Sequence, residues 1–214
     1  MPNPSPNGYL ASPPAGSGPG VLVLHAWWGL NETIKSFCDR LAAAGFTAFA
    51  PDLYHGALAT TIPAAETLSS ALGIVEARRD AAAAAEWLRA NQEQPIAVIG
   101  FSLGAYFALD LSITSPELIR DVVVYYGTGP SDFSGSQASY MGHFAERDPY
   151  EPWSNVTAMK KAVQQAGRPC AIHRYPGTGH WFCEPDRADA YNATAAELAW
   201  QRTLEFLGHR SSEV

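Results

Sequence analysis

The chain has 214 residues, of which 47% are hydrophobic and 16% are charged. A chain of this composition folds around its own core, and the length suits a single domain, 1–214. The 14 Lys and Arg residues against 21 Asp and Glu residues give a net charge of -7, so no basic surface for phosphate binding is expected. The composition therefore argues against nucleic acid as a partner.

The cysteines are Cys38, Cys170 and Cys183, which form no CxxC pair and are too few for a disulfide framework. Residues 1–20 contain no Lys or Arg and no continuous apolar stretch, and later segments lack the run of about 18 apolar residues that a membrane span requires. We therefore expect a cytoplasmic protein without a membrane partner.

The first predicted element lies in the Pro-, Gly- and Ser-rich segment 1–20, where GYLAS (8–12) indicates either an edge strand in a hairpin or part of a flexible arm. Regular patterns begin at Val21. Apolar, β-branched runs predict strands at 21–25, 46–50, 96–100, 122–126, 140–144 and 170–175. Helical spacing of apolar residues and terminal signals predict helices at 31–44, 64–90 with a break at Gly73, 103–113, 152–166 and 187–207.

Strands that alternate with helices indicate right-handed crossover units. Strands of this kind lie side by side in a mostly parallel sheet with helices on both faces. The sequence therefore predicts an α/β fold, a three-layer sandwich, with no internal repeat.

The strongest chemical signal is Gly100-Phe101-Ser102-Leu103-Gly104, a G-x-S-x-G pattern. It follows a predicted buried strand and opens a predicted helix, so a strained turn would lift the hydroxyl group of Ser102 above the carboxyl ends of the sheet. A side chain in place of Gly100 or Gly104 would collide with the neighbouring strand or helix. The alternative is that Ser102 is an ordinary helix cap.

A serine hydroxyl group needs a positioned base, and the base needs an acid that fixes its tautomer. His180, in the turn-rich PGTGHWF segment after the last predicted strand, is the candidate base. His173 inside that strand and His209 near the terminus are expected to be structural. Asp148, in a loop that follows a strand, is the candidate acid. Its competitors are Asp132, in an earlier loop, and Asp186, which is better explained as a cap of the last helix.

An ester's tetrahedral intermediate requires two backbone N–H donors. The residue after the nucleophile and the loop after the first core strand supply them in this pattern, which assigns the oxyanion hole to Leu103 and Trp27. Aromatic residues are concentrated in the same predicted loops, which indicates an apolar substrate pocket, although core packing would explain some of them. The predicted pocket residues are Ala26, Trp28, Tyr54, Phe101, Trp153, Trp181 and Phe182.

Four segments, LHAWWGLNETIKSFCDRLAAAGFTAFAPDLYHG, GFSLGAYFAL, HFAERDPY and YPGTGHWF, resemble the dienelactone hydrolase family of α/β-hydrolases. The resemblance extends over nearly all of the chain after Val21. It implies an α/β-hydrolase fold, a small cytoplasmic enzyme, and a nucleophile, acid and base at Ser102, Asp148 and His180. It implies no metal and no organic cofactor.

The chain departs from this family in two places. Dienelactone hydrolases proper have a cysteine nucleophile and a glutamate partner, where this chain has Ser102 and Ala26. Family members that bind dienelactone use arginines for its carboxylate, and the matching position here is Glu184. A bound carboxylate would meet like charge there, so dienelactone itself is not the expected substrate.

The sequence therefore predicts a serine hydrolase that cleaves neutral carboxylic esters or lactones, with an aryl or short acyl part, through an acyl-enzyme. An acyltransferase that uses the same acyl-enzyme is one alternative. A hydrolase-fold protein that only binds its ligand is another. The small-molecule ester or lactone is the expected partner, and a monomer is favoured.

Overall fold

The computed structural model describes residues 5–90, 92 and 94–208, in which a seven-stranded sheet has the strand order β1-β3-β2-β4-β5-β6-β7. All neighbouring strands are parallel except the antiparallel pair β1 and β3. The strands are β1 (Gly8–Ala11), β2 (Gly20–Leu24), β3 (Thr47–Pro51), β4 (Ile96–Phe101), β5 (Ile119–Tyr125), β6 (Ser139–Ala145) and β7 (Cys170–Tyr175). The helices are α1 (Glu32–Ala43), α2 (Ile62–Ala71), α3 (Ile74–Arg89), α4 (Leu103–Thr114), α5 (Trp153–Gln165) and α6 (Ala193–Gly208).

The alternation of side chains along each strand divides the core into two layers. Val21 and Val23 of β2 pack in a cluster with apolar residues of α1 and α6. Leu22 and Leu24 of the same strand pack in a second cluster with α3, α4 and α5. Helices therefore cover both faces of the sheet, which confirms the predicted three-layer α/β sandwich.

The N-terminal strand β1 is an edge strand, but it does not form a hairpin with the strand that follows it. Gly8 pairs with Pro51 and Ala11 with Ala48, so β1 lies against β3. Both edges of β2 are occupied, by β3 and β4, so β1 cannot pair with β2 and lies on the outer edge of β3. The hairpin prediction is wrong for this reason, and residues 1–4 of the predicted arm lie outside the described residues.

The last helix begins six positions later than predicted, at Ala193 rather than 187. The side chain of Asn192 accepts a hydrogen bond from the amide of Ala195 at 3.0 Å and so occupies the capping position. Asp186 is not the cap, because its carboxylate accepts hydrogen bonds from Asn31 and Thr33 at the start of α1. The break predicted at Gly73 is confirmed, since α2 ends at Ala71 and α3 begins at Ile74.

The described helices include none that is both long enough and apolar enough to cross a membrane. His209, near the carboxyl terminus, lies outside the part of the chain that the structure describes.

Candidate active site

Ser102 lies in a sharp turn between β4 and α4. Its backbone has φ 48° and ψ -109°, a conformation that side-chain-bearing residues rarely adopt. The turn is held by its amide, which donates to the carbonyl oxygen of Tyr125 at 2.9 Å. A Cβ atom on Gly100 would lie 2.4 Å from the carbonyl oxygen of Gly104, and one on Gly104 would lie 2.2 Å from that of Leu24. A side chain at either position would therefore collide with backbone atoms, as predicted, and only glycines allow the turn to pack this closely.

The turn brings Ser102 into contact with His180, and His180 into contact with Asp148. The Ser102 Oγ atom lies 3.0 Å from His180 Nε2, and His180 Nδ1 lies 2.7 Å from Asp148 Oδ2. The other carboxylate oxygen of Asp148 accepts the amides of Tyr150 and Glu151, each at 2.9 Å. An ionised Asp148 can only accept, so the imidazole proton lies on Nδ1 and the lone pair on Nε2 faces Ser102.

The competing residues lie elsewhere. Asp132 is exposed and accepts the amide of Ser134 within its own loop. Asp186 contacts the start of α1, as described above. His173 lies inside β7, where its ring stacks on that of His143 with centroids 5.6 Å apart. Of the aspartates considered from sequence, the structure places Asp148 beside His180.

The loop after β2, which carries the predicted donor Trp27, is anchored by His25. This buried imidazole has its Nδ1 atom 2.7 Å from the carbonyl oxygen of Ala26, and its Nε2 atom accepts the amide of Leu53 at 3.2 Å. The Leu53 amide can only donate, so the proton of His25 lies on Nδ1 and is donated to Ala26. Burial lowers the pKa of His25, which agrees with a neutral ring. The second predicted donor, Leu103, is the first residue of α4, where helix N–H groups are free to bind an anion.

Four aromatic rings surround His180 and the loop after β2. The ring centroids of Trp27 and Trp181 are 6.0 Å apart, and those of Trp28 and Trp181 are 5.3 Å apart. Tyr150 contacts both His180 and Trp181 at 5.1 Å. In this aromatic cluster (Trp27, Trp28, Tyr150 and Trp181), Trp28 and Trp181 are buried, whereas Tyr150 is exposed and Trp27 half-buried beside His180.

Several predicted pocket residues lie outside the aromatic cluster. Phe182 is fully buried between Tyr126 and Tyr175, so it belongs to the core and not to a pocket wall. The ring of Trp153 packs against Phe144 of β6 and the guanidinium group of Arg174 of the edge strand β7. The pocket prediction is wrong for Phe182 and Trp153, because an aromatic residue in a loop can pack below or beside a site.

Three further predicted residues are buried near the site. Ala26 is 1% exposed and its side chain belongs to the core cluster on the α1 side. Tyr54 packs on His25 with ring centroids 5.1 Å apart, and burial raises its pKa to about 12. Phe101 stacks on Tyr125 at 4.6 Å and lines a groove of about 350 Å³ that opens against α1 rather than toward Ser102.

Two residues beside His180 were missed by sequence reasoning. Tyr126 follows β5 directly and lies against the imidazole with ring centroids 4.9 Å apart, and Tyr150 contacts the ring at 5.1 Å. Their positions carried a signal, since Tyr126 follows a strand at the carboxyl edge of the sheet and Tyr150 lies two residues after the candidate acid. No spacing rule, however, distinguishes these tyrosines from core aromatics.

Glu184 does not present a negative charge to the site at neutral pH. Its side chain is 1% exposed, and its carboxyl group accepts the hydroxyl hydrogen of Tyr126 at 2.8 Å. Burial raises the pKa of Glu184 to about 8, so the protonated form predominates at pH 7. The expected repulsion between Glu184 and a substrate carboxylate is therefore wrong, because the group is neutral and turned into the core.

The cysteines are poor nucleophiles in this environment. Burial raises the pKa of Cys38 to about 12 and that of Cys170 to about 11, and it raises the pKa of Cys183 well above its ordinary value. Within 5–90, 92 and 94–208, no group of three or more His, Cys, Asp or Glu side chains is arranged to hold a metal ion. The nucleophile that the geometry favours is Ser102.

The sheet order, the strained serine turn and the loop positions of His180 and Asp148 are those of an α/β-hydrolase. The sequence profile of the dienelactone hydrolase family matches residues 7–211. The chain therefore belongs to the dienelactone hydrolase family, and both the predicted family and the predicted hydrolase activity are confirmed.

Individual relatives agree with this assignment. An Aquifex aeolicus protein named "Putative carboxymethylenebutenolidase" is 30% identical over 93% of this chain and 91% of its own. A Bradyrhizobium protein named "Probable 2-oxo-3-(5-oxofuran-2-ylidene)propanoate lactonase" is 31% identical over 93% of this chain and 87% of its own. The crystal structure of a Klebsiella pneumoniae protein described as a "Putative Dienelactone Hydrolase" superposes with a TM-score of 0.80 at 26% identity, covering 92% of this chain and 90% of that one.

Proposed function

We propose that the protein is a serine esterase or lactonase that cleaves neutral carboxylic esters through an acyl-enzyme on Ser102. The observation that carries this proposal is the continuous contact from Ser102 Oγ to His180 Nε2 at 3.0 Å and from His180 Nδ1 to Asp148 at 2.7 Å. A serine in a strained turn, an oriented neutral imidazole and a carboxylate are the parts that nucleophilic acyl transfer needs.

In the first half-reaction, Ser102 Oγ attacks the carbonyl carbon and its proton passes to His180 Nε2. Asp148 keeps the imidazole in position and stabilises the imidazolium that forms. The carbonyl oxygen becomes an oxyanion that accepts hydrogen bonds from the amides of Trp27 and Leu103. Collapse of this intermediate breaks the ester C–O bond, and His180 returns the proton to the leaving alkoxide.

In the second half-reaction, water attacks the acyl group on Ser102 and gives one proton to His180. The second tetrahedral intermediate collapses, the bond to Ser102 Oγ breaks, and Ser102 recovers its proton from His180. The products are a carboxylic acid and a regenerated enzyme, or a single hydroxy acid where the substrate is a lactone. The Bradyrhizobium relative, whose name describes a lactonase, supports the inclusion of lactones.

The aromatic cluster supports the choice of a neutral substrate with an aryl or short acyl part. Tyr150 is exposed and Trp27 is half-buried, and both rings pack on Trp181, so they offer flat, mostly apolar surface near His180. Such a surface favours an uncharged group over a solvated carboxylate, because the carboxylate would lose water without gaining a partner.

The nucleophile is tested by labelling the intact protein with a fluorophosphonate and locating the adduct by mass spectrometry. We expect an adduct on Ser102, none in Ser102→Ala, and full labelling in the control Ser131→Ala, in which an exposed loop serine is removed. Hydrolysis and acyl transfer are distinguished by adding an alcohol and identifying the acyl product. We expect free carboxylic acid, the product of hydrolysis, whereas a new ester of the added alcohol would indicate acyl transfer. An unlabelled parent protein, or turnover that survives Ser102→Ala, would refute the proposal.

Substrate charge is tested with two esters that differ in one carboxylate, p-nitrophenyl acetate and p-nitrophenyl hemisuccinate. We expect kcat/KM to be at least about tenfold higher for the neutral ester. Equal or reversed values would show that a cationic group reaches the bound acyl chain.

A further inference from the structure

Glu184 and Tyr126 form a buried pair directly behind the imidazole of His180. The Tyr126 hydroxyl group donates to Glu184 Oε1 at 2.8 Å, and both side chains are at most 1% exposed. The Tyr126 ring lies against His180 with centroids 4.9 Å apart and planes inclined by 59°. The triad mechanism uses neither residue, yet one of them touches the base.

We infer that Glu184 is a positioning residue for the catalytic base: its carboxyl group holds the Tyr126 ring against His180 and so keeps His180 Nε2 directed at Ser102. This inference rests on the proposed function, since it assigns a role to Glu184 only if His180 is the base. It adds an acidic residue, supplied by the same loop as the base, to the parts that the reaction needs.

The backbone around Tyr126 shows why a restraint is needed. Tyr126 has φ 40°, a left-handed conformation that is unfavourable for a bulky aromatic residue. Its amide is held by the carbonyl oxygen of His143 at 2.8 Å, which positions the main chain but leaves the ring to its own contacts. The hydrogen bond to Glu184 supplies a fixed point at the far end of the ring.

The same pair connects the end of β5, which contacts the Ser102 turn, with the loop that carries His180. The carbonyl oxygen of Tyr125, one residue before Tyr126, accepts the amide of Ser102 at 2.9 Å. The amide of Glu184 donates to the carbonyl oxygen of Trp181, one residue after His180, at 2.9 Å. The hydrogen bond between Tyr126 and Glu184 therefore links the end of β5, which accepts the amide of Ser102, to the loop that carries His180.

The hydrogen bond from Tyr126 does not require one protonation state of Glu184. Burial raises the pKa of Glu184 to about 8, whereas the hydrogen bond from Tyr126 and the charge of Arg187 favour the ionised form. Both a carboxyl and a carboxylate oxygen accept the hydroxyl hydrogen of Tyr126. We therefore expect the contact between Tyr126 and Glu184 to persist on both sides of pH 8.

The experiment compares Tyr126→Phe, Glu184→Leu, Glu184→Gln and the double variant Tyr126→Phe/Glu184→Leu. Tyr126→Phe and Glu184→Leu each remove one end of the hydrogen bond, and we expect each to lower kcat about tenfold with KM changed less than about twofold. The double variant should be no slower than the slower single variant, because both changes remove the same interaction. Glu184→Gln keeps an acceptor oxygen and should recover most of the rate lost in Glu184→Leu.

Two controls separate positioning from loss of stability. Tyr140→Phe removes another buried tyrosine hydroxyl group, which is hydrogen-bonded to Ser112 and Ser136. Tyr140 lies at the start of β6, whereas the candidate site lies at the carboxyl ends of the strands. Glu205→Leu repeats the Glu-to-Leu change at an exposed position of α6. Both controls should leave kcat at the parental value while Tyr140→Phe lowers the melting temperature.

The rate of fluorophosphonate labelling of Ser102 distinguishes the possible failures. A parent enzyme that is not labelled overturns the proposed function and this inference with it. A labelled parent with parental kcat in Tyr126→Phe and Glu184→Leu, or with additive effects in the double variant, overturns the inference and leaves the serine hydrolase intact. If Glu184→Leu does not fold, the kcat and KM values of Tyr126→Phe and Glu184→Gln decide the question: a tenfold lower kcat in Tyr126→Phe with near-parental kcat in Glu184→Gln supports the inference, and parental kcat in Tyr126→Phe overturns it.

Discussion

His180 and His143 are both buried, and both have hydrogen-bond partners at both ring nitrogens, but their partners differ in charge. His180 lies between Asp148 and Ser102. His143, inside β6, lies between the hydroxyl groups of Tyr175, at 2.7 Å, and Thr203, at 3.0 Å. A carboxylate stabilises an imidazolium ion, whereas two hydroxyl groups do not.

The surroundings of His143 also disfavour its charged form. Burial, together with the nearby His173 and Arg202, lowers the pKa of His143 well below its ordinary value, so the ring stays neutral. A histidine with satisfied hydrogen bonds is therefore not by itself a candidate base. His180 differs from His143 in two respects that matter for a base. Its partner Asp148 is a carboxyl group, and its second nitrogen faces a serine hydroxyl group.

The largest expected effect is the contrast between matched substitutions of these two histidines. His180→Gln removes the proposed base and should lower kcat/KM by about 10⁴-fold with little loss of stability. His143→Gln should change kcat/KM by less than about tenfold, because no reacting atom touches that ring. Ester hydrolysis and thermal unfolding of both variants measure the contrast. Comparable activity in the two variants would show that His180 is not the base.

Glu184 predicts a pH dependence of stability on the His180 side. The folded-state pKa of about 8 lies above the ordinary value of 4.5, so the folded protein retains a proton that the unfolded chain loses in this window. The corresponding stability is fully present below pH 4.5 and is lost as the pH rises through about 8, a change on the order of 5 kcal/mol. Glu184→Gln should flatten this slope in urea unfolding at pH 5, 7 and 9. Parallel slopes for parent and variant would contradict the assignment of a neutral buried carboxyl group.

His143 predicts a pH dependence of the opposite sign. Its folded-state pKa is depressed, so the unfolded chain binds a proton near pH 6.5 that the folded protein does not. Stability from this group is present above pH 6.5 and is lost as the pH falls. His143→Gln should lower the free energy of unfolding by about 2 kcal/mol at pH 7 and reduce the acid sensitivity. The check is urea unfolding at pH 5 and 7, and a variant that keeps the parent's acid sensitivity would assign that sensitivity to other groups.

The smallest expected effect concerns α6, which carries Thr203, a partner of His143. Asn192→Ala removes the helix cap and should lower the free energy of unfolding by about 1 kcal/mol without a change in kcat. Asp186→Ala is the matched control, since Asp186 contacts α1 and does not cap α6. Loss of activity in Asn192→Ala would show that α6 is coupled to His180 as well as to His143.

Sequence reasoning succeeded where local pattern and chain order determine structure. Continuous apolar runs identified the buried parallel strands, because a strand covered on both faces has no polar face. The G-x-S-x-G motif predicted a tight strand-to-helix turn at Ser102, and the structure contains this turn, in which the glycines meet backbone atoms at distances that no side chain allows. Asp148 and His180 were predicted as neighbours because the loops at the carboxyl ends of parallel strands meet at one edge of the sheet.

Tertiary contacts decided what local patterns leave open. The pairing of β1 with β3, and the contact of Asp186 with α1, depend on segments far apart in the chain. The neutral state of Glu184 is also invisible in the sequence, where a glutamate is expected to be charged. Only its complete burial against Tyr126 makes the charged form unfavourable, because the free energy of a carboxylate depends on the water and charges around it rather than on its neighbours in sequence.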